Sequence, residues 1–132
     1  MVSSRISLVS AGRHACFDRL VIRLGKGKRP GYRVRYVAKI VQDASGKTIP
    51  VRGRGKLSIV ARAPAARHFP VSSRHLVDVT GFRSFRQVVC AGSFEGITSF
   101  GVGVRSKLPF RVFRLRGPGN GSRLVVDVAH HR

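Results

Sequence analysis

Three short apolar runs, cut apart by glycine and proline, fill the last third of the chain and limit what it can fold into. Ile97–Val104, residues 109–115 and residues 123–128 are rich in Val, Ile and Phe. Each has the length of a strand and none has the length of a packed helix. Gly117-Pro118-Gly119-Asn120-Gly121, between the last two runs, can continue neither element and reads as a turn. In the middle run Phe110, Val112, Phe113 and Leu115 share the segment with Arg111 and Arg114. The change of phase after Val112 suggests a twist or a bulge there.

The same period-two grammar runs through the rest of the chain. In residues 18–24, Leu20, Ile22 and Leu24 alternate with Arg19, Val21 and Arg23, giving one apolar and one basic face. Residues 32–41 read as one strand, with Tyr32, Val34, Tyr36, Ala38 and Ile40 on one face and Arg33, Arg35, Val37, Lys39 and Val41 on the other. A turn over 42–47 follows, then strands over 48–51 and 56–63, an irregular stretch over 64–73, and strands over 75–79 and 85–91. Residues 1–16 read as a polar arm carrying a short edge strand at 5–9, and residues 17–132 as a single domain. No segment has helical periodicity. The expectation is an all-β fold, a compact sandwich or partly open barrel of about seven to eight mainly antiparallel strands.

Charge is the second constraint. Twenty-six Lys and Arg face five Asp and Glu, a formal charge of +21. Self-repulsion at that charge opposes compaction, so a good core, salt or a polyanionic partner must offset it. The basic residues run from Arg5 to Arg132 without a block, which excludes a basic tail on a neutral domain. Their bias toward arginine fits either phosphate recognition or a GC-rich genome. Such a chain binds nucleic acid in a salt-sensitive, sequence-blind way through charge alone. Tyr32, Tyr36, Phe82 and Phe85 offer stacking surfaces, but Tyr32 and Tyr36 are in phase with Val34 and Ile40, and no RNA-binding signature is present.

Signals for chemistry are sparse. Cys16 and Cys90 allow a disulfide, and two unpaired thiols fit as well. His14-Ala15-Cys16 offers one pair of metal ligands with nothing to complete it, so no metal and no cofactor is expected. Phosphate-binding loop, dinucleotide fingerprint and nucleophile elbow are all absent, which points away from an enzyme. No run reaches transmembrane length, and the first ten residues lack the apolar core of a signal peptide.

Read together, Phe94-Glu95-Gly96, the GVGVRSKLPFRVF stretch from Gly101 and RLVVDVAH from Arg123 resemble the C-terminal half of the AMIN-like domain of actinobacterial exported proteins and lipoproteins. Phe17-Asp18-Arg19-Leu20-Val21, the segment from Pro30 to Val37 and Ser45-Gly46 fit the earlier part of that pattern. The resemblance implies a non-catalytic domain in the cell envelope or secreted, although this chain shows no leader. It further implies a partner that is peptidoglycan, another anionic wall polymer or an envelope protein. Asp18, Arg19, Glu95, Arg123 and Asp127 fall on its polar positions. In so basic a chain the acids there are expected to pair with arginines such as Arg19, Arg105, Arg111 or Arg123, with a shared polar site around Glu95 as the sharper version. Arg33, Arg35, Arg105 and Arg111 are the expected ligand-facing residues. The rival is a sequence-nonspecific nucleic-acid-binding β domain, for which a cytoplasmic location would fit.

Overall fold

The structure, a computed structural model, describes residues 4–132; residues 1–3 of the expected polar arm lie outside the described residues. Ten strands and no helix form among the described residues. They are β1 (Ile6–Arg13), β2 (Phe17–Leu24), β3 (Tyr32–Val37), β4 (Ile40–Val41), β5 (Thr48–Ile49), β6 (Gly55–Ala61), β7 (Phe85–Phe94), β8 (Ile97–Val104), β9 (Phe110–Arg116) and β10 (Ser122–Ala129). One four-stranded sheet has the order β1-β2-β10-β9, a second the order β3-β6-β8-β7, and β4-β5 pair by themselves. Every pairing between these strands is antiparallel and neither large sheet closes, so the fold is an all-β sandwich rather than a barrel.

The core forms because both sheets alternate. Leu20, Ile22 and Leu24 of β2 with Leu124, Val126 and Val128 of β10 supply the inner face of the first sheet. Leu57, Ile59 and Ala61 of β6 with Phe100, Val102 and Val104 of β8 supply the inner face of the second. Burying one such aliphatic side chain contributes about 1.5–3 kcal/mol, which makes this interface the main offset to charge repulsion. Tyr36 joins the two sheets at one side, its hydroxyl donating to the Leu108 carbonyl at 2.6 Å.

The outer face of the second sheet carries a smaller core. Ile40, Ile49 and Val51 fold back over it and meet Val89 and Ala91. Gly101 and Gly103 make room for them: a Cβ on Gly103 would lie 1.7 Å from the Arg52 carbonyl oxygen, and one on Gly101 2.7 Å from Ile40 Cγ1. This crossing explains why residues 32–41 are not the single strand expected. The chain leaves β3 at Ala38, and Ile40 packs on the outer face with Val37 instead of sharing the face of Tyr36.

Three further expectations need correction. Residues 75–79 form no strand. They run beside β7 through one backbone bond, Leu76 N–H to Val88 O at 2.8 Å, with a second, Cys90 N–H to Ser73 O at 2.9 Å, just before them. Asp78 accepts the Thr80 N–H at 2.9 Å, a local turn that competes with extended pairing. Of the twist or bulge expected after Val112, the bulge does not form, since β9 pairs with β10 without a shift from Arg116 to Phe110. Phe113 and Leu115 simply face outward with Arg111. The edge strand expected at 5–9 is instead Ile6–Arg13, with Ile6 and Val9 buried.

A Gly103→Ala substitution is expected to destabilise the domain by about 3 kcal/mol or more, because backbone rather than a flexible side chain blocks the added methyl. Gly12→Ala, whose nearest neighbour would be at 3.8 Å, is expected to stay within about 1 kcal/mol of the parent in the same urea titration.

Candidate functional site

The outer face of the first sheet presents a compact cluster of arginine, carboxylate and aromatic groups. Register puts Asp127 of β10 between Arg19 of β2 and Arg111 of β9. Arg19 grips the carboxylate twice, Nε to Oδ1 at 2.7 Å and Nη2 to Oδ2 at 3.0 Å, and Arg111 Nε adds a bond to Oδ2 at 2.8 Å. Phe17 and Phe113 flank both guanidinium groups, with ring-to-guanidinium distances from 5.0 to 5.7 Å. His14 stacks on Phe17 at 4.6 Å. Two arginines and one carboxylate leave one positive charge uncompensated, and Arg111 is the more exposed, at 63% of its side chain against 26% for Arg19.

Beside this cluster lies an open cavity of about 450 Å³, lined by Phe17, Pro109, Phe110, Ala129, Arg111 and Asp127. Its walls are largely apolar; the Asp127 carboxylate there is engaged by Arg19 and Arg111, and the exposed edge of the Arg111 guanidinium is the charge left for a carboxylate or phosphate attached to a small apolar group. Cys16 also lines the cavity and is a free, exposed thiol. Cys90 is buried and free as well, its thiol pushed up by burial, so the two cysteines form no disulfide.

The other acid on the motif is built differently. Asp18 is fully buried and faces inward at the end of β2. Its Oδ2 accepts the backbone N–H groups of Ser84 and Phe85 at 2.7 and 3.1 Å, and its Oδ1 meets His130 Nε2 at 3.0 Å. His130 Nδ1 faces the Ala15 carbonyl at 3.2 Å, and the His130 carbonyl takes a bond from Arg105. Every contact of this Asp18–His130 pair is spent on holding β2, β7 and the C-terminal strand together.

The expected site residues therefore separate. Arg19, Arg111 and Asp127 converge. Arg33 and Arg35 are exposed on β3 of the opposite sheet, and Arg105 is bound to the His130 carbonyl. Arg123 ties down the turn before β10 through the Gly117 and Arg116 carbonyls. Glu95 sits in the two-residue turn between β7 and β8, exposed and with φ of 50° next to Gly96 at 77°. Glu95 makes no ion pair among the described residues. Phe113 and His14 are not among the expected ligand-site residues; the sequence offers Phe113 only as part of an apolar run and His14 only as half of an incomplete metal pair. Phe113 was legible only once its strand's phase was fixed, and His14 lies between strands without a periodic signal. Among the described residues no three His, Cys, Asp or Glu side chains gather as a metal site would require.

Burial alone would raise the Asp127 carboxyl, but the hydrogen bonds and charges of Arg19 and Arg111 outweigh it and hold it below the usual carboxylate range. Hydrogen bonding to Asp127 raises Arg19 in turn. The folded state thus favours ionised Asp127. Its stabilisation is complete above the unfolded carboxylate pKa of about 4 and is lost as pH falls through the lower folded value. Asp127→Asn is expected to cost about 2–3 kcal/mol at pH 7, since two arginines lose their anion while staying partly solvated. Across pH 5 to about 2 the variant is expected to lose less stability than the parent, followed by urea unfolding at each pH.

The AMIN-like domain family model matches residues 4–130, nearly the whole chain. No curated protein and no solved structure matches it. The match spans both sheets, the Asp18 lock and the Arg19–Asp127–Arg111 cluster, and the chain belongs to the AMIN-like domain family.

Proposed function

We propose that this domain is a non-catalytic binding module that holds an anionic wall polymer, peptidoglycan foremost, against the outer face of its first sheet. Family membership points to a module associated with the cell envelope and without catalytic activity. No helix among the described residues is long and apolar enough to cross a membrane. The observation that carries the reading is Arg111. Only its Nε is committed to Asp127, it is largely exposed, and it borders the apolar cavity beside Phe17. A stem-peptide carboxylate could take its free N–H edge while small side chains enter the cavity. Asp127 and the two phenylalanines hold that guanidinium in place, which lowers the entropy lost on binding. Arg33 and Arg35 face the other way and act as part of the long-range field. Arg105, committed to His130, has a structural role.

The test is co-sedimentation with purified peptidoglycan beside duplex and single-stranded DNA, from about 50 to 500 mM salt. The parent is expected to stay on peptidoglycan at the highest salt after DNA has been released. Arg111→Gln and Phe113→Ala are expected to lose that retention, and Arg33→Gln with Arg35→Gln to keep it. DNA held at salt that strips the peptidoglycan would instead support a nucleic-acid-binding domain.

A further inference from the structure

A second concave surface lies along the start of β7, away from the Asp127 cluster. Two chain segments, one carrying Arg52 and one carrying Arg74 and His75, meet there, and one buried side chain fixes both. Gln87 of β7, 8% exposed, accepts the Arg52 N–H at its Oε1 at 3.0 Å and donates from Nε2 to the Arg74 carbonyl at 2.8 Å. The orientation of its amide follows from those partners, a backbone donor on one side and a backbone acceptor on the other. Around Gln87 lie two cavities, of about 470 and about 580 Å³, that share Arg52, His75 and Gln87 as lining.

The charge in this groove is one-sided. Arg52 lines both cavities, Arg86 the first and Arg74 the second, and all three are exposed. Among the described residues no protein hydrogen bond engages the guanidinium of Arg52 or Arg74. That of Arg86 uses Nη1 alone, on the carbonyls of Phe82, Arg83 and Phe85. The one acid in the lining is Asp78, already bound to the Thr80 N–H. Val77, Val79 and Phe82 form an apolar wall on the same side. A surface arginine that serves only as general charge needs no buried amide to set its backbone. Here one amide positions two arginine-bearing segments across a groove larger than a single inorganic anion.

We propose that this groove binds a small phosphorylated ligand, its phosphoryl group on Arg52, Arg74 and Arg86 and its organic part against Val77, Val79 and Phe82. Guanidinium forks match phosphoryl oxygens in pairs. A phosphoryl group carries about 1.5–2 negative charges at neutral pH, which makes it the better match to three cations than a lone carboxylate. A cleft of one sign also concentrates anions from solution. The site is independent of the wall-binding face and stands or falls without it.

Titration of the isotope-labelled full chain with glucose 6-phosphate, inorganic phosphate and malonate, followed by amide chemical shifts at about 150 mM salt, tests the proposal. Saturable shifts confined to the amides of Arg52, Arg74, His75, Arg86 and their neighbours are expected, with glucose 6-phosphate binding tightest and malonate weakest. Arg52→Gln is expected to weaken binding about tenfold, the loss of one charge-assisted contact. Asp78→Asn is expected to tighten it, and Arg33→Gln with Arg35→Gln to change it less than about twofold, since β3 is the opposite edge strand of that sheet, with β6 and β8 between it and β7. Gln87→Leu is expected to weaken binding with the β signature of the circular dichroism spectrum retained; should it unfold, the surface Arg52 and Asp78 variants still decide. Shifts spread over all faces, equal losses in the Arg52 and Arg33/Arg35 variants, or malonate binding as tightly as the sugar phosphate would overturn the proposal.

Discussion

The rest of the structure depends on a buried carboxylate. Asp18 stands at the inner end of β2, fully buried, and receives two backbone N–H groups from the start of β7 and a ring nitrogen from His130 beyond β10. Two sheets that meet mainly through side-chain packing are thereby joined at one end by directed bonds. Hydrophobic contact tolerates sliding; a buried side chain held by two backbone N–H donors and a histidine ring does not. Ser84 reinforces the joint by donating its hydroxyl to the Ala129 carbonyl at 2.9 Å. Removing Asp18 would leave those donors buried and unpaired, a cost larger than the net value of the bonds themselves.

Placement of the few acids shapes the surface. Of five, Asp18 and Asp127 are buried and bound. Asp43 is half-buried, held by Ser99 at 3.0 Å, with its other oxygen unpartnered among the described residues and its carboxyl pushed up by burial. Asp78 and Glu95 remain exposed in loops. The acids therefore do little to moderate the external field of twenty-six basic groups, and the outside of the sandwich is close to uniformly cationic. Cohesion against that repulsion rests on the two inner faces, whose charged members, Asp18 and the half-buried Arg114, are tied to backbone groups at the rim.

Strands with clean alternation were legible in the sequence. Leu20, Ile22 and Leu24 against Arg19, Val21 and Arg23, and Leu57, Ile59 and Ala61 against their polar neighbours, declare both faces at once, and each pattern survives in the burial. Of the candidate site, the Arg19–Asp127 pairing was within reach, because in so basic a chain a strand carboxylate has arginines for neighbours on nearly any register. The third member, Arg111, depends on β9 lying next to β10 in an unshifted register, which local pattern does not specify. What stayed hidden depends on contacts distant in sequence. The break at Ala38 follows from a crossing over Gly101, and the local pattern of residues 32–41 runs straight through it. The failure of residues 75–79 as a strand turns on one Asp78–Thr80 bond that outcompetes pairing. His130, near the chain end and beside a second histidine, looks solvated by position, yet it is 3% exposed because its partner Asp18 lies more than a hundred residues earlier.

The two outer faces of the sandwich are not equivalent, and the difference bears on which one meets a ligand. Over the second sheet the chain itself supplies a cover: Ile40, Ile49 and Val51 settle on the bare backbone at Gly101 and Gly103, and the middle of that face is spent on internal packing. Among the described residues the first sheet has no such cover. Its outward Val125 is nonetheless almost fully buried, between Val21 and Phe113 in register and beneath the neighbouring long side chains. Arginine stems and phenylalanine rings thus act as a thin outer layer over that sheet, with charged heads toward water and apolar bodies toward the strands. Such a layer desolvates one side of each guanidinium while leaving an edge free. An exposed lysine on a flexible stem offers charge without direction, whereas Arg111, held by Asp127 and set between two rings, offers charge with a fixed geometry. That combination separates a surface able to recognise a carboxylate from one that merely attracts polyanions.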